Sequence, residues 1–275
     1  FANAWYGPGT RLSAWAVDDG ETTELPAAGG VWARFVVPGA GMLELTGIAA
    51  NVQPVPAANA ITALALTWGG EAPRNGLAVS VRLTDDLGQL WAQHDYEPSG
   101  GAGASVDRLG LLVPAGTPPG RYRVEVSVRP KASDRPLDAL STDGVSLGTS
   151  ARLYDLEVLP ADRPLGPERL PIATQTNVDL GDGIRFLGYS LDAGPAVPGE
   201  TRKVSLFWWA MTQPSIDYTA FVQLLGRDGS LAANWEAPPG AAYPTSAWTD
   251  GTLIRTQAFF RAPATLADGR YPLIA

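Results

Sequence analysis

Cysteine is absent from the chain, which removes disulfides, thiolate nucleophiles and Cys-ligated metals together. Histidine occurs once, as His94, so neither a His-rich metal site nor a two-histidine catalytic arrangement is available. Basic charge is scarce too: lysine stands only at 131 and 203, and the net charge is -8. That balance leaves no electrostatic footprint for a phosphate backbone or an anionic membrane surface, so nucleic acid is not an expected partner. No run of about 18 apolar residues exists, so no transmembrane helix is expected in this chain. The chain opens at Phe1 without Met, shows no signal-peptide pattern, and stops just after Tyr271. It reads as an excised or processed piece of a longer protein.

What is present is punctuation. The 275 residues include 31 Gly and 24 Pro, and 45% are hydrophobic, enough for two cores of ordinary size. Between the Gly and Pro marks the apolar runs are only about five to eight residues long, which argues for short strands over long helices. Leu12 to Val17 alternates before an Asp19-Gly20 turn. Val31 to Val37, Met42 to Ile48 and Ile61 to Trp68 follow as strands, and Leu77 to Leu83 pairs with Leu90 to Tyr96 as a hairpin. Arg121 to Val128 has strict period two, with Tyr122, Val124, Val126 and Val128 on one face. Ala151 to Leu159 is a closing strand, and the Pro-rich stretch from Pro160 to Pro171 is the best domain boundary.

The second half then repeats the first. Gly188 stands 141 residues after Gly47, Gly229 the same distance after Gly88, and Pro239 after Pro98. Farther on the offset becomes 149, with Gly269-Arg270-Tyr271 answering Gly120-Arg121-Tyr122. Val204-Leu206-Trp208 answers Leu64-Leu66-Trp68 at 140, a register that puts Trp208, not Trp209, in the core. The expected fold is therefore all-β: two tandem antiparallel β-sandwiches of Ig-like or jelly-roll-like type. They span 1 to 162, with an irregular lead-in to Gly30, and 163 to 275, the second lacking its C-terminal strand or strands and so leaving an exposed edge.

Val204 to Gly229, Pro244 to Trp248 with Asp250-Gly251, and Gly269-Arg270-Tyr271 resemble β-sandwich modules that follow the membrane part of bacterial multi-pass glycosyltransferases, of the dolichyl-phosphate-mannose-dependent O-mannosyltransferase type. Arg121 to Leu159 looks like the usual ending of the same module. The resemblance covers most of 170 to 275 and, more faintly, 42 to 160. It implies an extracytoplasmic accessory domain, tethered to a membrane through other sequence, and it supplies no catalytic residues. The expected partners are the remainder of that parent protein or a neighbouring subunit.

Candidate sites are few. His94 and Asp95 are adjacent on a strand and so face opposite ways, which spoils them as an acid/base pair. The acidic turns Asp18-Asp19-Gly20, Asp85-Asp86, Asp179 to Gly183 and Asp228-Gly229 offer hard oxygen ligands for calcium. None has the dense alternating loop with a distal Glu, and Asp-Gly is what tight turns need anyway. No cofactor is expected, and no carboxylate pair is singled out for glycoside hydrolysis. The Gly100 to Gly103 loop opens no helix and is no phosphate cradle.

Aromatic residues are more informative. Phe207, Trp209, Phe221 and Phe259 fall on the face opposite the core set, where the first copy has Thr67, Gly69, Ser80 and Gly110. Tyr243 and Trp248, in a loop that the first copy lacks, would extend that surface. Such a patch is an interface, a stacking platform for a sugar, or a face that another strand covers. Three readings of the whole follow: a non-catalytic accessory domain of a membrane glycosyltransferase, a carbohydrate-binding module, or a structural cell-surface or filament subunit.

Overall fold

The structure, a computed structural model, describes residues 3–5, 11–13, 22–25, 31–162, 166–265 and 269–275. The expected Leu12 to Val17 strand is described only as Arg11–Ser13, and the Asp18-Asp19-Gly20 turn lies outside the described residues, as does most of the lead-in. The described residues contain strands and two short 3-10 turns, Pro167–Arg169 and Thr245–Ala247, and no α-helix.

The chain divides into two compact units. The first takes in Phe1–Val55, Asn59–Pro114 and Arg121–Val158; the second takes in Pro56–Ala58, Ala115–Gly120 and Leu159–Ala275. In chain order the strands begin with β1 (Asn3–Trp5), β2 (Arg11–Ser13), β3 (Thr23–Leu25), β4 (Ala33–Val37), β5 (Gly41–Ala50), β6 (Val55–Pro56) and β7 (Ala60–Gly70). They continue with β8 (Leu77–Thr84), β9 (Leu90–Tyr96), β10 (Ser105–Val113), β11 (Gly120–Pro130), β12 (Ala139–Leu140), β13 (Ser146–Gly148) and β14 (Ala151–Leu159).

The main sheets of the first unit run β10-β7-β5-β4-β12-β13, with β3 on β5, and β6-β14-β11-β8-β9. Their facing sides are apolar at every second residue, as a sheet buried on one face requires. Leu64, Leu66 and Trp68 of β7 are buried, as are Tyr122, Val124, Val126 and Val128 of β11. Phe35 packs on Trp68 with ring centroids 6.2 Å apart.

The second unit contains β15 (Thr174–Gly181), β16 (Ile184–Leu191), β17 (Thr201–Ala210), β18 (Ala220–Leu225), β19 (Leu231–Ala237), β20 (Leu253–Arg261) and β21 (Leu273–Ile274). Its sheets run β15-β16-β17-β20 and β19-β18-β21. The core between them holds Val204, Leu206 and Trp208 of β17, Val222 and Leu224 of β18, and Ile254 and Phe260 of β20.

Strand registers match between the units. In β5-β7, Leu45 lies opposite Trp68 and Gly47 opposite Thr67, with a register shift between them. In β16-β17, Phe186 lies opposite Trp208 and Gly188 opposite Phe207, with the same kind of shift. The two glycines differ in what they must tolerate: a Cβ at Gly47 would meet only the Thr67 side chain, whereas Gly188 needs positive φ and close backbone approach. Gly188 has φ +142, and a Cβ there would stand 2.1 Å from the Thr174 carbonyl oxygen.

Candidate functional site

The six aromatic residues expected to form one outward surface are not gathered together. Alternation correctly places Phe207 and Trp209 on the outer side of β17, and Phe221 on the outer side of β18. But β17 and β18 belong to different sheets of one sandwich, so their outer sides point in opposite directions.

Phe207 is only 3% exposed. It packs with Leu187, Leu253, Leu170 and Ala115, with Ile172 and Trp209 against the same cluster. The segment that brings Ala115 also pairs by backbone, the Arg255 N–H donating to the Gly116 carbonyl at 2.7 Å. Phe259 is partly buried on the same side of that sheet, opposite Lys203.

Trp248 is 0% exposed and belongs to the core between the sheets. Its loop turns inward because Thr245, buried at the start of a 3-10 turn, donates to the Ile216 carbonyl and accepts from the Tyr218 N–H. The Trp248 indole N–H then donates to the Tyr243 carbonyl at 3.2 Å, and the Tyr243 hydroxyl to the Ala247 carbonyl at 2.7 Å. Tyr243 and Trp248 thus plug the core and do not extend a surface. Of the six, Phe221 is the most open, at 42%.

Three concave regions lie in the second unit. A cleft of about 450 Å³ is walled by Trp209 and lined by Glu168, Gln175, Asn177, Arg185 and Ile172. Arg185 sits directly across the strand pair from Trp209 and is held by Asp179. This ion pair was readable in advance, since Asp179 and Arg185 are equidistant from Asp182 in the connecting turn. The polar wall contributed by Gln175 and Asn177 was not singled out: β15 is exposed along its whole length, so neither of its faces is marked by burial.

A smaller cleft of about 280 Å³ lies beside Phe221, Tyr218, Trp208 and Leu180. The third region is an apolar groove on both sides of Leu273. One cleft, about 480 Å³, is lined by Leu191, Leu224, Phe260 and Tyr271, and another, about 350 Å³, by Phe186, Tyr189, Leu191 and Leu206.

Carboxylates of the described acidic turns are engaged by the protein itself. Asp85 accepts from the Leu87 and Gln89 N–H groups and from the Trp91 indole. Asp182 accepts from the Ser215 N–H at 2.8 Å, the Ser215 hydroxyl and the Tyr218 hydroxyl, and these bonds hold its carboxyl below the usual range. Ser230 does the same for Asp228. Among the described residues no group of three His, Asp or Glu side chains is placed to hold a metal ion. Asp95 bonds Ser80 and Gln93 while the His94 ring lies 6.0 Å from Tyr96, so the neighbours do face apart.

A buried polar network in the first unit leaves no trace in the strand pattern. Arg74 is buried and donates to the Ser99 and Gly103 carbonyls and the Ser105 hydroxyl, so it orders the glycine-rich loop from within. Burial, together with the neighbouring Asp107 carboxylate, pushes the Tyr96 phenol well above its ordinary value.

No protein-family model matches the chain, and no curated protein matches it. Among solved structures there is a similarity to a chain described as pT26-6p. It has 9% identity and a TM-score of 0.25, covering 90% of this chain and 60% of that one. The chain thus spans less than two thirds of that protein's length. No helix among the described residues is long and apolar enough to cross a membrane.

Proposed function

We propose that this chain is a non-catalytic binding and positioning module, borne outside the cytoplasm by a larger membrane-anchored protein of glycosyltransferase type and built from two copies of one β-sandwich. The matched bulges at Gly47 and Gly188 support the two-copy reading. One observation carries the binding role: the described turn carboxylates are tied up in ion pairs and turn hydrogen bonds, whereas the clefts beside Phe221 and Leu273 are built largely from apolar and aromatic side chains. Such surfaces suit recognition more than proton transfer. Protease added to spheroplasts of cells making the parent protein should cut this module. Full protection until lysis would put it in the cytoplasm and overturn the placement.

The Trp209 cleft favours a glycan as one ligand. A flat indole face suits the C–H side of a sugar ring, and Gln175, Asn177 and Arg185 surround it with planar hydrogen-bonding groups. Glu168 is the one carboxylate among the residues lining that cleft, so the pair that glycoside hydrolysis needs is not gathered there. Affinity electrophoresis in soluble polysaccharides should show retardation that Trp209→Ala removes and Phe221→Ala leaves intact. Equal mobility of the wild type and Trp209→Ala in every polysaccharide would sink the glycan reading.

A further inference from the structure

An Asn-Gly pair, Asn75-Gly76, forms the turn that leads into β8, and both residues are exposed. It is the one Asn-Gly sequence in the chain. The other asparagines precede Ala4, Val52, Ala60, Val178 and Trp235, whose side chains crowd the amide nitrogen that glycine leaves open. The Leu77 N–H donates across the turn to the Arg74 carbonyl at 3.0 Å, and Gly76 stands at φ +85, the place in a type II turn that asks for glycine.

Within this turn the peptide group joining Asn75 to Gly76 is unheld. Among the described residues neither its C=O nor its N–H has a hydrogen-bond partner, and the Asn75 side chain has none. A Cβ added at Gly76 would meet nothing within 4 Å. The group is free to rotate, and rotation carries the Gly76 nitrogen against Asn75 Cγ. We propose that Asn75 is a site of self-modification. The Gly76 N–H gives its proton to solvent hydroxide and the nitrogen attacks Cγ. A C–N bond forms, and the side-chain nitrogen takes a proton from water and leaves as ammonia, closing a succinimide ring. Water then opens the ring at Cγ to give aspartate, or at the main-chain carbonyl to give isoaspartate, whose chain runs through Cβ and Cγ.

Either product gains a carboxylate, and isoaspartate also lengthens the turn by one main-chain atom. The two ends of the turn are fixed. Arg74, 2% exposed, is held by the Ser99 and Gly103 carbonyls and the Ser105 hydroxyl. Leu77 is paired with Pro130 of β11, and the Lys131 N–H donates to the Gly76 carbonyl at 2.7 Å. The extra atom therefore pulls on Arg74, and the glycine-rich loop 99–105 loosens around the cation on which its carbonyls converge. This inference concerns the first unit alone and needs no ligand, so it stands apart from the binding-module reading.

The test ages the whole chain in mildly alkaline buffer and follows residue 75 by peptide mapping with mass spectrometry. The peptide carrying it should split into asparaginyl, aspartyl and isoaspartyl species, at a rate close to that of a free peptide with the sequence of residues 72–80, APRNGLAVS. Gly76→Ala should slow the conversion several-fold. An isoaspartyl methyltransferase supplied with labelled S-adenosylmethionine should mark the aged wild type at residue 75 and leave that peptide of aged Asn75→Gln unmarked. Residue 75 staying intact while the free peptide converts would overturn the proposal, and so would faster conversion at Asn51 or Asn234. In the isoaspartyl form, separated by chromatography, hydrogen exchange should speed across 99–105. Fresh Asn75→Asp adds the charge but no main-chain atom, and its exchange there should match the wild type. Unchanged exchange in the isoaspartyl form, or an equal gain in Asn75→Asp, would overturn the link to Arg74.

Discussion

The indole N–H of Trp208 donates to the Thr256 hydroxyl at 2.8 Å, and that hydroxyl donates onward to the Pro239 carbonyl. In the first unit Trp68 at the matching place donates instead to the Tyr96 hydroxyl, at 3.3 Å. Each sandwich thus buries a tryptophan and satisfies its one polar atom with a different neighbour, as a buried donor demands. Thr256→Val keeps the shape and removes the acceptor, leaving the indole unpaired. It should cost about 1–3 kcal/mol in denaturant unfolding followed by tryptophan fluorescence, while Thr256→Ser should cost less than half as much.

Trp248 and Phe221 should separate sharply by size of effect. Trp248→Ala empties a fully buried site and should lower stability by about 3–5 kcal/mol. Phe221→Ala, at an exposed position, should stay within about 1 kcal/mol of the wild type. A comparable loss from both, read from urea midpoints, would contradict the inward plug.

Gly188→Ala places a methyl group against the Thr174 carbonyl and holds a non-glycine residue at a φ that L-residues avoid. It should cost about 2–3 kcal/mol and speed hydrogen exchange in β15 first. Gly194→Ala, at φ +82 with open space around it, should cost about 1–2 kcal/mol and leave β15 protected.

Acid and alkali should act on different groups. The carboxyls of Asp179, Asp182, Asp217 and Asp228 are depressed, by the Arg185 guanidinium at Asp179 and by hydrogen bonds from Ser215, Ser246 and Ser230 at the others. Their contribution is present above the ordinary aspartate value and is lost as pH falls through the lowered one, so the second unit should loosen below about pH 4. Urea midpoints at pH 5.5 and 3 should converge in Asp182→Asn relative to the wild type.

Tyr96 and Tyr154 shift the other way: burial raises both phenols, Tyr154 to about 12. The neutral forms stabilise the first unit below about pH 10, and this is lost as pH rises toward the raised values. Absorbance at about 295 nm should show one fewer tyrosine ionising with unfolding in Tyr154→Phe than in the wild type.

Period-two alternation made the strands and their buried faces legible, from Arg121–Val128 to Val204–Trp208. The register of 140 that puts Trp208 in the core was legible as well, because a changed offset moves whole faces. Alternation says which residues of one strand share a side but not which sheet the strand joins. Phe207 and Phe221 therefore looked like neighbours although they lie on opposite outer faces. Trp248 was opaque for a different reason: its loop is irregular, and only the hydrogen bonds of Thr245 turn it inward. Arg74 follows the same logic, a charge buried because loop carbonyls converge on it.

The short run Ala115–Gly120 belongs by packing to the unit whose long segment begins only at Leu159. Anyone moving the second sandwich into another host by cutting at the Pro160 to Pro171 linker would leave those six residues behind. Phe207 and Leu253 would lose the cover of Ala115, and the Arg255 amide would lose its acceptor at Gly116. The polypeptide can be spelled as two consecutive halves, but as an object it cannot be sawn apart where the spelling suggests.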